Sequence, residues 1–368
     1  MQTKIIYPDY TKSIVNLANS ILQAWDLPTH GRTLALLDPY LANDYENVVV
    51  FLLDGLGKCI VERNLEKRGF FNTHLAGTFS STFPSTTVAA MASIDSGLAP
   101  CEHGWLGWDC YFPQIDRNVT VYSNTDTETG EKVAKESVAW KYCGYSRVIQ
   151  RINEAGGKGY YVTPFTPPYP TTFEESCELV KVYCKKPGRK YIYCYCDEPD
   201  RVMHFTGCYS DETKQVVASL ESRIEALAAE LRDTLIIITA DHGQVDSKGV
   251  CIRDYPVIWG CLERIPTFEP RALNLFVKKD RRDEFERAFT GEFGQKFLLL
   301  PKEKVLEMKL FGCGNEHKDF RDMLGDYLAV AVADLSIFKT HADAEKFIGV
   351  HAGLTEDEMI IPLIIVDV

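Results

Sequence analysis

Two largely apolar runs, each ending at an aspartate, constrain the fold of this chain more than any other feature. Val48–Leu53 is followed by Asp54, and Thr234–Ala240 is followed by Asp241. Runs of this length that do not alternate with polar residues are typical of strands buried in a parallel sheet. Apolar residues at helical spacing across Glu212–Leu231 precede the second run, as in a strand–helix–strand unit. The pattern predicts an α/β fold, with a mostly parallel sheet flanked by helices on both faces.

A hydroxyl-rich stretch, Thr82-Phe83-Pro84-Ser85-Thr86-Thr87, precedes a run of small residues that begins at Val88. Proline suits the first turn of a helix, so the stretch predicts a helix that starts near Pro84. A hydroxyl ahead of that turn would face the positive end of the helix dipole, where an alkoxide or a phosphate is stabilised. The simpler interpretation is an ordinary helix cap. Thr82 is the first candidate for a reactive hydroxyl, and its rivals are Ser81, Ser85, Thr86 and Thr87.

Acidic residues and histidines recur where predicted strands end. Asp54 and Asp241 end the two apolar runs, and His242 follows directly. Asp200 and His204 come after a predicted strand at 191–196, and their spacing places both on one face of a helical turn. Each group alone has an ordinary structural explanation, as a surface pair or a turn. Together with His351, near the end of the chain, they predict a metal centre.

The predicted ligands are imidazole nitrogens and carboxylate oxygens. This set favours zinc, with manganese as the second choice. Two such ions about 3.5–4 Å apart form the clamp that enzymes use for in-line displacement at phosphorus. The number and kinds of ligands therefore predict chemistry on a phosphorylated substrate.

The order of these motifs resembles that of the alkaline phosphatase superfamily, and within it the type I phosphodiesterase/nucleotide pyrophosphatase family. The similarity covers nearly the whole chain and rests on Asp54 in Leu-Asp-Gly, Thr82 in Thr-Phe-Pro-Ser, Gly97–Gly104, Glu198-Pro199-Asp200 with His204, Thr239–Gly243 and His351–Thr355. It implies an alkaline-phosphatase-like core.

The resemblance also implies roles for individual residues. One zinc ion would be held by Asp200, His204 and His351. The other would be surrounded by Asp54, Asp241, His242 and the hydroxyl of Thr82. Thr82 would be the nucleophile and would carry a phospho-threonine intermediate, while Phe83 would line the pocket for the substrate.

One position departs from the family pattern. Nucleotide pyrophosphatases carry an asparagine after their His-Gly segment, where it donates to a phosphoryl oxygen. Here that segment begins at His103-Gly104, and Trp108 occupies the place of the asparagine. Indole offers a single N–H donor and a large ring, so two roles stay open for Trp108: it replaces the amide contact, or it only shapes the substrate pocket. The leading hypothesis is a zinc-dependent phosphodiesterase acting on a nucleotide-like or other small diester.

Other activities on the same core stay open at this point. A phosphomonoesterase, a phosphonate hydrolase of the phosphonoacetate type and a phosphosugar mutase would use similar ligands. A sulfatase is disfavoured because no Cys/Ser-x-Pro-x-Arg segment follows Asp54. A non-catalytic relative that keeps metals for structure would be expected to lack the hydroxyl or a ligand, and none is missing.

Composition limits the partners and the compartment. The formal net charge of −12 disfavours duplex nucleic acid or an anionic membrane as the main partner. It is compatible with a small phosphorylated substrate, because bound metal ions reverse the local field. The first nine residues contain no signal-peptide-like apolar segment, and the cysteines form no C-x-x-C pair. We therefore expect a cytoplasmic protein with reduced cysteines.

The chain is predicted to divide into a core and an insertion. Residues 1–264 and 346–368 would form the metal-dependent phosphohydrolase core. Residues 265–345 change character and are predicted to be a smaller α+β insertion that overhangs the metal site without supplying a ligand. Residues 109–145 are polar and are predicted to form an irregular wall of the cleft.

Overall fold

The structure is a computed structural model that describes residues 4–368, so the first three residues of the stretch searched for a signal peptide lie outside it. Its strands are β1 (Asn47–Leu53), β2 (Leu75–Ser80), β3 (Asp109–Phe112), β4 (Arg117–Thr120), β5 (Thr125–Asp126), β6 (Lys158–Val162), β7 (Lys190–Cys196), β8 (Thr234–Thr239), β9 (Val245–Asp246), β10 (Lys248–Cys251), β11 (Thr267–Glu269), β12 (Ala272–Leu275), β13 (Phe297–Pro301), β14 (Tyr327–Ala331), β15 (Leu335–Phe338), β16 (Gly349–Val350) and β17 (Ile360–Asp367).

The helices connect these strands and cover them. They are α1 (Ile14–Ala24), α2 (Asp38–Leu41), α3 (Lys58–Asn64), α4 (Phe70–Thr73), α5 (Thr87–Ser96), α6 (Pro100–His103), α7 (Val138–Cys143), α8 (Val148–Glu154), α9 (Phe173–Cys184), α10 (Asp200–Thr206), α11 (Asp211–Glu230), α12 (Pro256–Cys261), α13 (Arg282–Phe293), α14 (Lys302–Glu307), α15 (Phe320–Met323), α16 (His341–Lys346) and α17 (Glu356–Met359). Among residues 4–368, none of the helices combines the length and the apolar character needed to cross a lipid bilayer.

The central sheet has the strand order β2-β17-β8-β1-β7-β6. Strands β8, β1, β7 and β6 run parallel, whereas β17 pairs antiparallel with both β8 and β2. Every residue of β1, β7 and β8 is buried, which explains why their sequences are apolar rather than alternating. The predicted α/β fold with a mostly parallel central sheet is confirmed.

A second sheet is wholly antiparallel, in the order β13-β14-β12-β11-β3-β4-β5. Its first four strands come from the predicted insertion at 265–345, and its last three come from 109–126. The division of the chain into core and insertion stays a prediction. In the structure, the strands of the insertion share their sheet with a segment that was assigned to the core.

The prediction of an irregular wall at 109–145 is wrong for its first half. Cys110, Phe112 and Val119 are buried, whereas Tyr111, Asn118 and Thr120 are partly exposed. This alternation is the signature of a strand with one buried face, and it was hidden by the polar residues between the apolar ones. The buried residues join an apolar cluster that also contains Phe83, Phe268 and Phe311. The second sheet therefore packs beside the hydroxyl-rich stretch.

Candidate metal centre and active site

Three adjacent parallel strands deliver most of the predicted ligands to one edge of the central sheet. Asp54 follows β1, and Asp241 and His242 follow β8. Asp200 begins α10, four residues after β7, and its N–H donates to the Asp54 carbonyl over 2.9 Å. Because β8, β1 and β7 are neighbours in register, their carboxyl ends converge on one place.

The first ligand group contains Asp200, His204 and His351. The Asp200 Oδ2 lies 3.1 Å from Nε2 of His204, and its Oδ1 lies 3.7 Å from Nε2 of His351. One ligand atom from each residue falls within 4.8 Å of the other two. The structure thus brings together the three residues that were predicted to hold one ion.

The second group forms around His242. Its Nε2 lies 3.3 Å from Oδ1 of Asp54 and 3.3 Å from Oδ2 of Asp241. Asp54, Asp200 and His242 also offer ligand atoms within 4.8 Å of one another, so Asp200 belongs to both groups. The His242 and His351 rings stack with their centroids 3.8 Å apart, which places the two groups side by side.

All three histidines are oriented in the same way. Their Nδ1–H groups donate to backbone carbonyls: His204 to Gly349 over 2.7 Å, His242 to Gly243 over 2.9 Å and His351 to Ser85 over 3.1 Å. Such a bond leaves Nε2 as the nitrogen with a free lone pair. It is the arrangement that metal-binding histidines use to present a ligand atom.

Two buried carboxylate oxygens have no donor. Asp200 Oδ1 and Asp241 Oδ2 lack a hydrogen-bond partner, whereas Asp241 Oδ1 accepts from the N–H groups of Gly55 and His242. A buried oxygen that carries negative charge is costly without a partner. Cations at the two groups would supply those partners, so the residues present fit divalent metal ions.

The electrostatics of the site agree with this fit. Burial, together with the negative charges of Asp241 and Asp200, raises the pKa of Asp54 well above its ordinary value. Burial and the neighbouring His242 ring lower the pKa of His351, which favours the neutral imidazole that binds metals. Without cations, the Asp54 carboxyl therefore favours its neutral form, and a bound cation would favour the carboxylate.

The hydroxyl nearest to the candidate ligands is that of Thr87, and not that of Thr82, the nucleophile predicted from the sequence. Thr87 Oγ1 lies 3.2 Å from His242 Nε2 and 3.4–3.5 Å from the two carboxylate oxygens of Asp54. Thr82 is fully buried, and its hydroxyl reaches only the Pro84 carbonyl, over 3.5 Å. The cause is the start of the helix: α5 begins at Thr87 with Thr86 as its N-cap, three residues later than Pro84 suggested.

The other hydroxyls of this stretch have structural partners. Ser81 donates to the Asp241 carbonyl, and Ser85 donates to the Gly353 carbonyl over 3.1 Å. Thr86 donates to the Glu269 carboxylate over 2.6 Å. These bonds fix the loop ahead of α5, and they leave Thr87 beside the predicted ligands.

Phe83, which was predicted to line the substrate pocket, is not accessible to a ligand in the structure. Phe83 has no exposed surface and packs edge-on against Phe311, with 5.3 Å between the ring centroids. Trp105 is buried too, and its indole N–H donates to the Cys143 carbonyl over 2.8 Å. Trp108, in contrast, is 47% exposed, and it meets the half-exposed ring of Tyr122 at 81°. Of the predicted aromatic residues, Trp108 alone is accessible to a ligand.

Two polar residues that the motifs did not indicate lie at the site. The Tyr195 hydroxyl donates to Asp54 Oδ2 over 2.5 Å. Glu269 accepts from the Thr86 hydroxyl and, over 2.8 Å, from the Trp108 N–H. Burial raises the pKa of Glu269 to about 7, although both hydrogen bonds oppose the shift. A tyrosine near the end of β7 was visible in the sequence, but nothing there linked Glu269 to Thr86.

Comparison with known proteins agrees with this geometry. The family model for type I phosphodiesterase/nucleotide pyrophosphatase matches residues 48–259, which contain every predicted ligand except His351. No curated protein sequence matches the chain significantly.

Solved structures share the fold at low sequence identity. Murine ectonucleotide pyrophosphatase/phosphodiesterase 5, solved as an inactive variant in complex with AMP, superposes with a TM-score of 0.66 at 17% identity. The alignment covers 86% of this chain and 87% of that chain. The human protein of the same name gives a TM-score of 0.65 at 16% identity, with the same coverage. Because the family model spans more than half of the sequence, the chain belongs to the type I phosphodiesterase/nucleotide pyrophosphatase family, within the alkaline phosphatase superfamily.

Proposed function

We propose that this protein is a two-metal phosphodiesterase that hydrolyses small diesters through a phosphorylated threonine, and that this threonine is Thr87. The observation that carries the proposal is the position of its hydroxyl. Thr87 Oγ1 stands at the first residue of α5, 3.2 Å from His242 and within 3.5 Å of Asp54. A hydroxyl at a helix N-terminus, beside a ligand group, is well placed to become an alkoxide.

Two zinc ions, or manganese ions as the alternative, fit the two ligand groups. Asp200, His204 and His351 would hold one ion, and Asp54, Asp241 and His242 would hold the other. When bound, such ions supply the positive charge that activates oxygen nucleophiles and stabilises charge on a transferring phosphoryl group.

The chain itself contributes the nucleophile and its orientation. In the first step, Thr87 Oγ1 forms a bond to phosphorus while the bond from phosphorus to the leaving oxygen breaks, and the hydroxyl proton passes through solvent to that oxygen, which departs as an alcohol. In the second step, water attacks the phosphorus, the Thr87–phosphorus bond breaks, and a proton from the water returns to Thr87 Oγ1. Glu269 holds Thr86, the residue before the nucleophile, and so restrains the direction of the Thr87 hydroxyl.

The charges around the site favour a diester over a monoester. A monoester brings two negative charges and usually needs a basic clamp. Lys58 is paired with Glu62 at 3.4 Å, Arg201 with Glu198 at 2.7 Å, and Lys339 with Asp109. None of these three basic side chains is free to serve as that clamp.

The exposed aromatic pair favours an organic second ester group. Trp108 and Tyr122 offer flat apolar surface, and stacking on such a ring contributes about 1–3 kcal/mol per base. A related protein of this fold was solved with AMP, which makes a nucleotide diester a reasonable first candidate here.

A substrate panel on zinc-loaded protein tests the proposal. We expect a nitrophenyl phosphodiester and a dinucleotide to be cleaved with a kcat/KM at least about tenfold higher than that of a nitrophenyl phosphomonoester or a phosphonate. Thr87→Ala serves as the inactive control. A preference for the monoester or the phosphonate would overturn the diesterase assignment, and activity retained by Thr87→Ala would overturn the nucleophile.

A further inference from the structure

A fully buried ion pair joins the second sheet to the metal centre. Arg271, directly before β12, donates from Nε to Glu358 Oε1 over 2.6 Å and from Nη2 to Oε2 over 2.8 Å. Neither side chain has exposed surface. The remaining Arg271 nitrogen, Nη1, donates to the Leu335 carbonyl over 3.0 Å. The guanidinium thus belongs to the second sheet, whereas the carboxylate lies on α17, directly before β17 of the central sheet.

Glu358 in turn holds the loop that carries His351. Its Oε1 accepts from the Gly353 N–H over 2.7 Å, and its Oε2 accepts from the Thr355 hydroxyl over 2.6 Å. The Glu358 backbone carbonyl also accepts from Gly243, the residue after His242. A single residue therefore contacts the two loops that carry His242 and His351.

The same loop is tied to the segment that carries the nucleophile. His351 Nδ1 donates to the Ser85 carbonyl, and the Ser85 hydroxyl donates back to the Gly353 carbonyl. Gly353 has no room for a side chain, since a Cβ there would meet the Ala331 carbonyl oxygen at 2.7 Å and Glu358 at 2.8 Å. The position of His351 is therefore set from two sides, by Glu358 and by Ser85.

Stability alone is a poor explanation for such a pair. Taking two charges out of water is expensive, and replacing a buried ion pair with apolar residues is often neutral or stabilising. What a bidentate guanidinium–carboxylate pair does supply is a fixed geometry. Here the pair fixes the loop that carries His351, one of the candidate metal ligands.

We infer that the Arg271–Glu358 pair is a positioning device, which sets the place of His351 and makes its ligand group competent to bind metal. The inference rests on the metal centre of the proposed function. It assigns to the second sheet a role beyond shaping the cleft, because Arg271 connects that sheet to the metal centre without being a ligand itself.

Three variants and one control test this inference. Arg271→Lys keeps the charge but loses the forked geometry, and Arg271→Met combined with Glu358→Gln removes both charges, so that neither is left buried alone. Glu358→Gln keeps an acceptor for Gly353. The matched control is Lys190→Met, which removes a fully buried cation at the opposite end of β7, where it pairs with Glu46 at 3.3 Å.

Each protein is stripped of metal, titrated with zinc by calorimetry, and followed by amide hydrogen exchange across residues 351–355. We expect Arg271→Lys and the double variant to lose about 10–100-fold in zinc affinity at one of two sites, as positioning residues around metals typically do. When all proteins are free of metal, the amide protons of Gly353 and Thr355 should exchange faster in these two variants than in the wild-type protein. Lys190→Met should lower the melting temperature and leave both measurements unchanged.

Two outcomes overturn the inference. The first is unchanged zinc affinity and unchanged exchange in Arg271→Lys. The second is an equal loss of zinc affinity in Lys190→Met, which would mean that general destabilisation explains the effect. If the wild-type protein takes up no zinc, the proposed metal centre fails, and the exchange rates at Gly353 and Thr355 still decide whether Arg271 positions the loop.

Discussion

The two ligand groups differ in how far they are shielded from solvent. In the group around His242, the side chains of His242 and Asp241 are 0% exposed and that of Asp54 is 4% exposed. In the other group, His204 is 21% exposed and His351 is 9% exposed. The two groups nevertheless share Asp200.

Their different origins in the fold explain this contrast. Residues that follow the central strands β1 and β8 stay inside the layer of side chains that covers the sheet. His204 lies one turn into the short helix α10, which leaves the sheet and approaches solvent. The Thr87 hydroxyl, which we propose as the nucleophile, lies beside the buried group. In the proposed mechanism, the buried group would serve the nucleophile, and the more exposed group would face the attacking water and the leaving alcohol.

The largest expected effect tests which threonine belongs to the buried group. Thr87→Ala should lower kcat by about a thousandfold or more, because the covalent nucleophile is lost. Thr82→Ala, the matched control, should change kcat by only a few fold, since the Thr82 hydroxyl contacts the Pro84 carbonyl alone. Steady-state kinetics on a nitrophenyl diester measures both. A dead Thr82→Ala beside an active Thr87→Ala would restore the nucleophile first predicted from the sequence.

The two ligand groups should release their metal ions at different rates. Against a chelator, we expect zinc to leave in two phases, first from the more exposed group of Asp200, His204 and His351. Elemental analysis should then show an intermediate with about one ion per chain, and activity should already be lost at that stage. His204→Ala should abolish the fast phase only, whereas Asp241→Asn should weaken the slow site. Loss of both ions in one phase would contradict the difference that exposure predicts.

A smaller effect is expected from the tyrosine that supports the buried group. Tyr195→Phe removes the hydrogen bond to Asp54 and should lower metal affinity or kcat/KM by about 10–100-fold, in line with other residues that orient metal ligands. Tyr193→Phe, on the same strand, is the control, because the Tyr193 hydroxyl has no hydrogen-bond partner. Equal effects of both substitutions on zinc titration and kinetics would show that Tyr195 has no special role.

The smallest effect is expected for the exposed aromatic residue Trp108. Trp108→Ala should raise KM for an aromatic diester several-fold, which corresponds to the lower end of the ~1–3 kcal/mol per stacked base, and should leave kcat nearly unchanged. Phe83→Ala should behave in the opposite way. It leaves a cavity in the core and should lower stability by about 3–5 kcal/mol, with little change in KM for the folded protein. An unchanged KM in Trp108→Ala would remove Trp108 from the substrate pocket.

The strands and ligands of the central sheet were predictable because the signal is local. The apolar runs before Asp54 and Asp241 could hardly be anything but buried strands, and β1 and β8 confirm them. The helical spacing at 212–231 became α11 (Asp211–Glu230). Once these elements are placed in a parallel sheet, the residues at their carboxyl ends must converge.

The hydroxyl that faces the ligands and the exposure of the aromatic residues were not predictable in the same way. Several hydroxyls lie within seven residues, and proline is compatible with more than one helix start. Which hydroxyl faces the ligands depends on the residue at which α5 begins, and the residue before it, Thr86, is held by Glu269, far away in the chain. The exposure of Trp108 and the burial of Phe83 likewise depend on where the second sheet packs.

By itself, the sequence determined the α/β class, the strands that carry candidate ligands and six of the side chains that meet at the candidate metal centre. These follow from residues close together in the chain, whose burial and periodicity can be read without knowing their neighbours. Only the tertiary structure decided that β3–β5 share a sheet with β11–β14, that Thr87 rather than Thr82 stands beside His242, and that Arg271 reaches Glu358. Such contacts join residues that are far apart in the chain, and their energies exist only once the two sheets have packed together.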